Sequence, residues 1–193
     1  MLPSKGAARS FTRHRTFPCY HISDQLPNLH YDSRKTRFYM ERKPDTGVLD
    51  HVCSHWVSLK GQSPIYHFLL ENVDIVTAGR GWIEARLKIL PIHLNSEGTL
   101  HGTVSACLTD WAGGLAIAST GLEKTGVSTD IHTSYISTAK EHDLLVIEGN
   151  ATKVGLTMAY TTVSIQKLNA DGTQRPVASG THTKFVGERK LPG

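Results

Sequence analysis

The sequence predicts an α+β fold, a curved antiparallel sheet wrapped around one long central helix with extra helices on its N-terminal side. Three observations carry that expectation. Residues 102–119 are rich in Ala, Gly, Ser and Leu, and a helix that is small or apolar on nearly every face is enclosed rather than laid on a surface. About four strand-like runs follow this segment, and a two-run hairpin precedes it. Strands grouped in this way, instead of alternating one by one with helices, point to an antiparallel sheet with the helix on one side.

Each element has a local signature. From Asp45 and Thr46, the residues Val48, Leu49, Val52, Trp56 and Leu59 recur at near-helical spacing, and Gly61 is the expected stop. Ser63-Pro64 reads as an N-cap followed by proline at the first helical position, so a short helix over 65–71 is expected. The period then changes to two. Over 82–90, Ile83, Ala85, Leu87 and Ile89 alternate with Glu84, Arg86 and Lys88, the pattern of a half-buried strand. The run 73–78 joins it through Gly79-Arg80-Gly81 as a hairpin. Further strands are expected at 127–136, 144–154, 158–168 and 177–186, with turn residues at 169–172 between the last two. Gly113-Gly114 inside the central helix costs about 1 kcal/mol per residue relative to Ala. Close approach of the sheet, or of a second subunit, would account for that pair.

The chain has 193 residues, 39% hydrophobic and 20% charged, with no apolar run approaching the length of a membrane span. One soluble globular domain over 45–193 is expected. Cys19, Cys53 and Cys107 are widely spaced and form no CxxC, which fits a reducing compartment. Charge is uneven: residues 1–43 hold nine Lys/Arg against three Asp/Glu, and the remainder holds twelve against fourteen. The basic balance belongs to an N-terminal arm over 1–44, so a nucleic-acid surface on the domain is not expected. Lys5, Arg9, Arg13 and Arg15 precede the first acid, Asp24, which suggests a mitochondrial targeting segment. A basic tail on a cytoplasmic protein is the alternative.

The stretch 95–110 carries the candidate chemistry. A Gly at a helix start lets a ligand approach exposed N–H groups at the positive end of the helix dipole. That suits Gly102 to a developing oxyanion, and Asp110 is a carboxylate among small residues, where a charge needs a partner or a task. His101 and Asn95 are further catalytic candidates, with plainer readings as a hydrogen-bonded loop histidine and a turn residue. Cys107 reads as a small buried apolar side chain. His51 and His55 share a helix face but lack the Glu of a metalloprotease motif, so no metal is expected.

Four blocks, Asn95-x5-His101-Gly102 with Asp110, Gly126-Val127-Ser128-Thr129-Asp130, Lys153-Val154-Gly155-Leu156-Thr157 and Ser179-Gly180-Thr181-His182-Thr183-Lys184, resemble the PaaI-like acyl-CoA thioesterases of the hotdog superfamily. The likeness covers roughly residues 65–187. It implies a hotdog fold and hydrolysis of an acyl-CoA, with no prosthetic group. It also implies that the Gly102 amide polarises the thioester carbonyl and that Asp110 is general base or nucleophile. Asn95 would then hold the water or carbonyl, with help from Ser128. Tyr135, Ile136, Ser137 and Lys140, together with Lys153, Gly155 and Thr157, would hold coenzyme A. Lys153 and Lys184 are phosphate contacts or solvated charges.

Three residues depart from the family pattern: Thr103 for a second Gly, Thr138 for Pro, and Leu156 for a basic residue. Thr103 and Leu156 keep open a non-catalytic acyl-CoA-binding or regulatory protein. A hydratase on the same fold would want a His on the central helix, and 102–131 holds none. Helix arithmetic adds a constraint. Eight residues place Gly102 and Asp110 ~12 Å apart along the axis, whereas a base must come within ~3 Å of the atom it serves. One chain cannot offer both groups to one thioester. Composite sites in a homodimer, or in a tetramer of two dimers, follow.

Overall fold

The computed structural model describes residues 42–187. The arm expected over 1–44, and with it the targeting expectation, lies outside the described residues except for its last three. Of those three, Arg42 adheres to the domain. Arg42 Nη1 pairs with Glu148 Oε2 at 3.1 Å, and its guanidinium covers the Trp82 ring at 5.5 Å.

Helix α1 (Thr46–Gln62) begins where Asp45 Oδ1 accepts the Val48 N–H at 3.1 Å, and it buries Val52, Cys53 and Trp56. It runs past Gly61 because the Ser63 N–H still donates to the Leu59 carbonyl at 3.0 Å. Pro64, with no N–H to give, ends the ladder instead. Helix α2 (Pro64–Leu70) follows and turns Leu69 and Leu70 inward. The Ser63 hydroxyl makes no cap bond there, so the start rests on the preset backbone of Pro64.

The strands are β1 (Val73–Gly79), β2 (Trp82–Lys88), β3 (Val127–Tyr135), β4 (Leu144–Val154), β5 (Met158–Leu168) and β6 (Gln174–Phe185), with helix α3 (Gly102–Ala118) between β2 and β3. They form one antiparallel sheet in the order β1-β2-β4-β5-β6-β3. Two strand ends differ from expectation by more than one residue. β2 stops at Lys88 because the Leu90 N–H is taken by His93 Nδ1, in a 3-10 turn over Pro91–His93 that alternation alone does not reveal. β6 starts early, at Gln174, because the turn closes tightly and Leu168 already pairs with Gln174. The chain leaving α3 crosses the sheet, so β3 becomes the far edge beside β6, with side chains exposed along nearly its whole length.

Helix α3 lies in the curve of this sheet. Leu108, Trp111 and Leu115 share one core with Ile83, Leu87, Leu145, Ile147 and Ile165, each such side chain contributing roughly 1.5–3 kcal/mol on burial. Trp56 meets Trp111 edge-on at 5.4 Å, which closes α1 over the open side of the helix. Two glycines permit the contact between helix and sheet. A Cβ on Gly149 would strike the Ala112 carbonyl, and one on Gly113 would lie 2.6 Å from Thr161 Oγ1. The sheet thus accounts for Gly113. Gly114 has only an ordinary neighbour, Thr125 Oγ1 at 3.8 Å from such an atom.

Candidate active site

The candidate residues fall into two groups at opposite ends of the strands. At the first end α3 begins. His101 is its N-cap, and its Nδ1 accepts the Thr103 N–H at 3.1 Å, so that nitrogen carries no proton. The Val104 N–H goes to the His101 carbonyl at 2.9 Å. Gly102 is the first helical residue, and among the described residues its N–H meets no acceptor. The Tyr135 ring lies over it, with the hydroxyl donating to the Gly102 carbonyl at 3.3 Å. Asn95, Gly102, Ser105, Tyr135, Ser137 and Thr138 line a cleft of about 190 Å³. Asn95 is also a turn residue, its Oδ1 accepting from the Glu97 and Thr99 amides at 3.0 Å each. Ile136 is exposed beside Tyr135, and Lys140 pairs with Thr99 in an isolated bridge.

The second end is built around Asp110. Tyr66 of α2 donates its hydroxyl to Asp110 Oδ2 at 2.7 Å. His182 Nδ1 and Lys184 Nζ, both from β6, stand 3.5 and 3.8 Å from Oδ1, approaches too long to be hydrogen bonds. The other nitrogen of His182 lies 2.9 Å from Ser128 Oγ. The Ser128 hydroxyl therefore meets an imidazole that stands beside Asp110, and not the carboxylate itself. Burial, then the Lys184 charge, holds His182 below the usual histidine range, and burial lowers Lys184 as well. Burial, then the nearby carboxylate, pushes the Cys107 thiol up to about 12, which leaves it no thiolate to attack with.

Lys184 belongs to this second group. Its ammonium is buried and turned toward Asp110 instead of standing on the surface. Lys153, at the end of β4, and Gly155 and Thr157 of the β4–β5 turn are exposed, and the Gly155 N–H bonds the Met158 carbonyl at 2.9 Å. Met158 pairs with Phe185 at one end of β6, whereas Tyr135 pairs with Ala178 near the other. Seven residues of strand separate them, on the order of 23 Å. One chain does not gather the two sets of residues expected at coenzyme A. The sequence alone assigns no role to Tyr66 or His182. His182 stood inside a motif block, whereas nothing in the order of residues near Tyr66 marks it.

This fold and these residues have known counterparts. A family model described as the thioesterase superfamily matches residues 97–173. Human acyl-coenzyme A thioesterase 13 is 34% identical over 119 residues, which is 62% of this chain and 83% of that protein. Zebra fish thioesterase superfamily member 2 has a crystal structure that superposes with a TM-score of 0.64 at 31% identity, covering 72% of this chain and 98% of that one. The chain belongs to the thioesterase superfamily. A Streptococcus pneumoniae thioesterase crystallised with coenzyme A matches at a TM-score of 0.55 and 30% identity, over 63% of this chain and 94% of that one. With relatives named as acyl-coenzyme A thioesterases, the chain is a thioester hydrolase, and the expected hotdog architecture is the one observed. The matched stretch contains Gly102, Asp110 and Ser128, but neither Tyr66 nor His182.

Proposed function

We propose that the chain hydrolyses an acyl-CoA thioester to a carboxylic acid and coenzyme A in a site assembled from two copies. The observation that carries this reading is the placement of an uncommitted Gly102 amide and the Asp110 carboxylate on one rigid helix. In the proposed step, Asp110 accepts a proton from water as the water oxygen bonds the carbonyl carbon. The Gly102 N–H receives the oxyanion that forms. Collapse of the tetrahedral intermediate breaks the C–S bond, and the departing thiolate takes up the proton that Asp110 accepted, which restores the carboxylate.

The edge strand supports a two-chain site. β3 offers an unpaired edge beside exposed Val127, Ile131 and Tyr135, a surface that sheets normally cover. Antiparallel pairing of β3 with a two-fold copy brings the Tyr135 end of one strand beside the Val127–Ser128 end of the other. Tyr135 lies at Gly102, and Ser128 is linked through His182 to Asp110. Such a pairing would set one chain's helix start against the partner's Asp110, and Tyr135, Ser137 and Lys140 toward the partner's Lys153–Thr157 turn. Release of free thiol from a panel of acyl-CoA esters, with Asp110→Asn beside wild type, tests the chemistry. Turnover by wild type and its loss in the variant are expected. An inert wild type, or a fully active variant, refutes the reading.

A further inference from the structure

Tyr66 lies outside the stretch matched by the family model, yet it makes the one hydrogen bond to the Asp110 carboxylate among the described residues. The two oxygens of that carboxylate have different surroundings. Oδ1 is buried and turned toward His182 and Lys184, although the side chain as a whole is 30% exposed. Oδ2 is the oxygen that Tyr66 holds. A carboxylate oxygen has two lone pairs; Tyr66 occupies one on Oδ2 and leaves the other free.

We propose that Tyr66 is a positioning residue whose hydroxyl locks the Asp110 carboxylate so that Oδ2 presents its free lone pair to the attacking water. The inference rests on the thioesterase reading above and gives it a residue that the family stretch does not contain. The grip is braced. The Tyr66 ring packs edge-on against Trp56 at 6.0 Å, and Trp56 packs against Trp111 at 5.4 Å, one residue along α3 from Asp110. The oxygen therefore approaches from a scaffold of three rings instead of from a freely turning side chain. Burial, followed by the Asp110 contact, pushes the phenol above the ordinary tyrosine range, so it keeps its proton and remains the donor.

Tyr66→Phe keeps the ring and removes only that donor. A hydrogen bond to a charged group that orients a base is expected to carry roughly a 10- to 100-fold effect on kcat, with KM unchanged within about two-fold. Thermal melts of Tyr66→Phe, Asp110→Ala and the double variant give a readout independent of turnover. The losses should be non-additive, because either change alone already breaks the bond. An active wild type whose Tyr66→Phe variant keeps full kcat overturns the positioning role and leaves the thioesterase reading standing. Additive melts overturn it too, since the two groups are then uncoupled. A wild type inert on every acyl-CoA removes both claims together.

Discussion

The start of α3 and the point eight residues along it offer two kinds of chemistry. At Gly102 the useful group is a backbone N–H, and the parts that frame it, His101 and the Asn95 turn, are near neighbours in the chain. At Asp110 the useful group is a side chain whose surroundings come from distant segments: Tyr66 from α2, and His182 and Lys184 from β6. The first half is made mainly by local sequence, with the Tyr135 ring of β3 laid over it. The second exists only once α2 and the sheet have closed on the helix. A composite enzyme of this kind has one half that is robust and one that depends on the whole fold.

Removing either half should be the largest effect. Asp110→Asn is expected to lower kcat by roughly 10²–10⁴-fold, the range for a general base. Gly102→Pro removes the oxyanion N–H and suits the backbone of the first helical position, with the Tyr135 ring, 3.2 Å from the added Cβ, having to shift slightly. His101 already has the extended backbone that a residue before proline requires, with φ −67° and ψ 132°. A loss of about 10²–10³-fold is expected. Mixing decides whether the halves belong to different chains. In a heterodimer of the two variants, one site carries both lesions and the other carries none. Reassociation of equal amounts of these two weakly active proteins should restore about a quarter of wild-type turnover. No gain over the separate variants would show that each chain works alone.

A smaller effect separates the two neighbouring glycines of α3. Gly113→Ala drives a Cβ toward Thr161 Oγ1 and to within 3.2 Å of His182 Nδ1, and overpacking of this kind costs about 1–3 kcal/mol. Gly114→Ala has room, and it should be neutral or add up to about 1 kcal/mol through helix propensity. Melting temperatures of the two variants check the contrast. Equal destabilisation would mean that sheet contact is not what distinguishes the pair.

The same division governs what can be read from sequence. Alternation at Ile83, Ala85, Leu87 and Ile89 announces a strand because each side chain reports its own burial. The enclosed character of α3 is visible in its small residues for the same reason. The Gly102 end is legible because a cap and a turn are local devices. The place of β3 at the far edge is not legible, since strand order comes from a crossover and not from the composition of the strand. Nor is Tyr66 at Asp110, because a hydrogen bond across 44 residues leaves no periodic trace. Lys184 illustrates the same gap. By sequence it suits a phosphate, whereas the fold turns its ammonium inward to a carboxylate.

The fold-dependent half should also be the acid-sensitive one. His182 has a fully buried side chain, and burial together with Lys184 outweighs the pull of Asp110 and Asp130, so its folded pKa lies below that of the unfolded chain. The sign follows from which state binds the proton. As pH falls through about 6.5, the unfolded chain takes up a proton that the folded one resists, and stability drops progressively until the folded value is passed. His55 and His93, held low mainly by burial, act in the same direction. The melting temperature is therefore expected to be lower at pH 5 than at pH 7. His182→Gln, which keeps polar atoms near Ser128 but does not titrate, should flatten that slope by the share belonging to His182. A slope unchanged in the variant would place the acid sensitivity elsewhere and detach it from the Asp110 end of the helix.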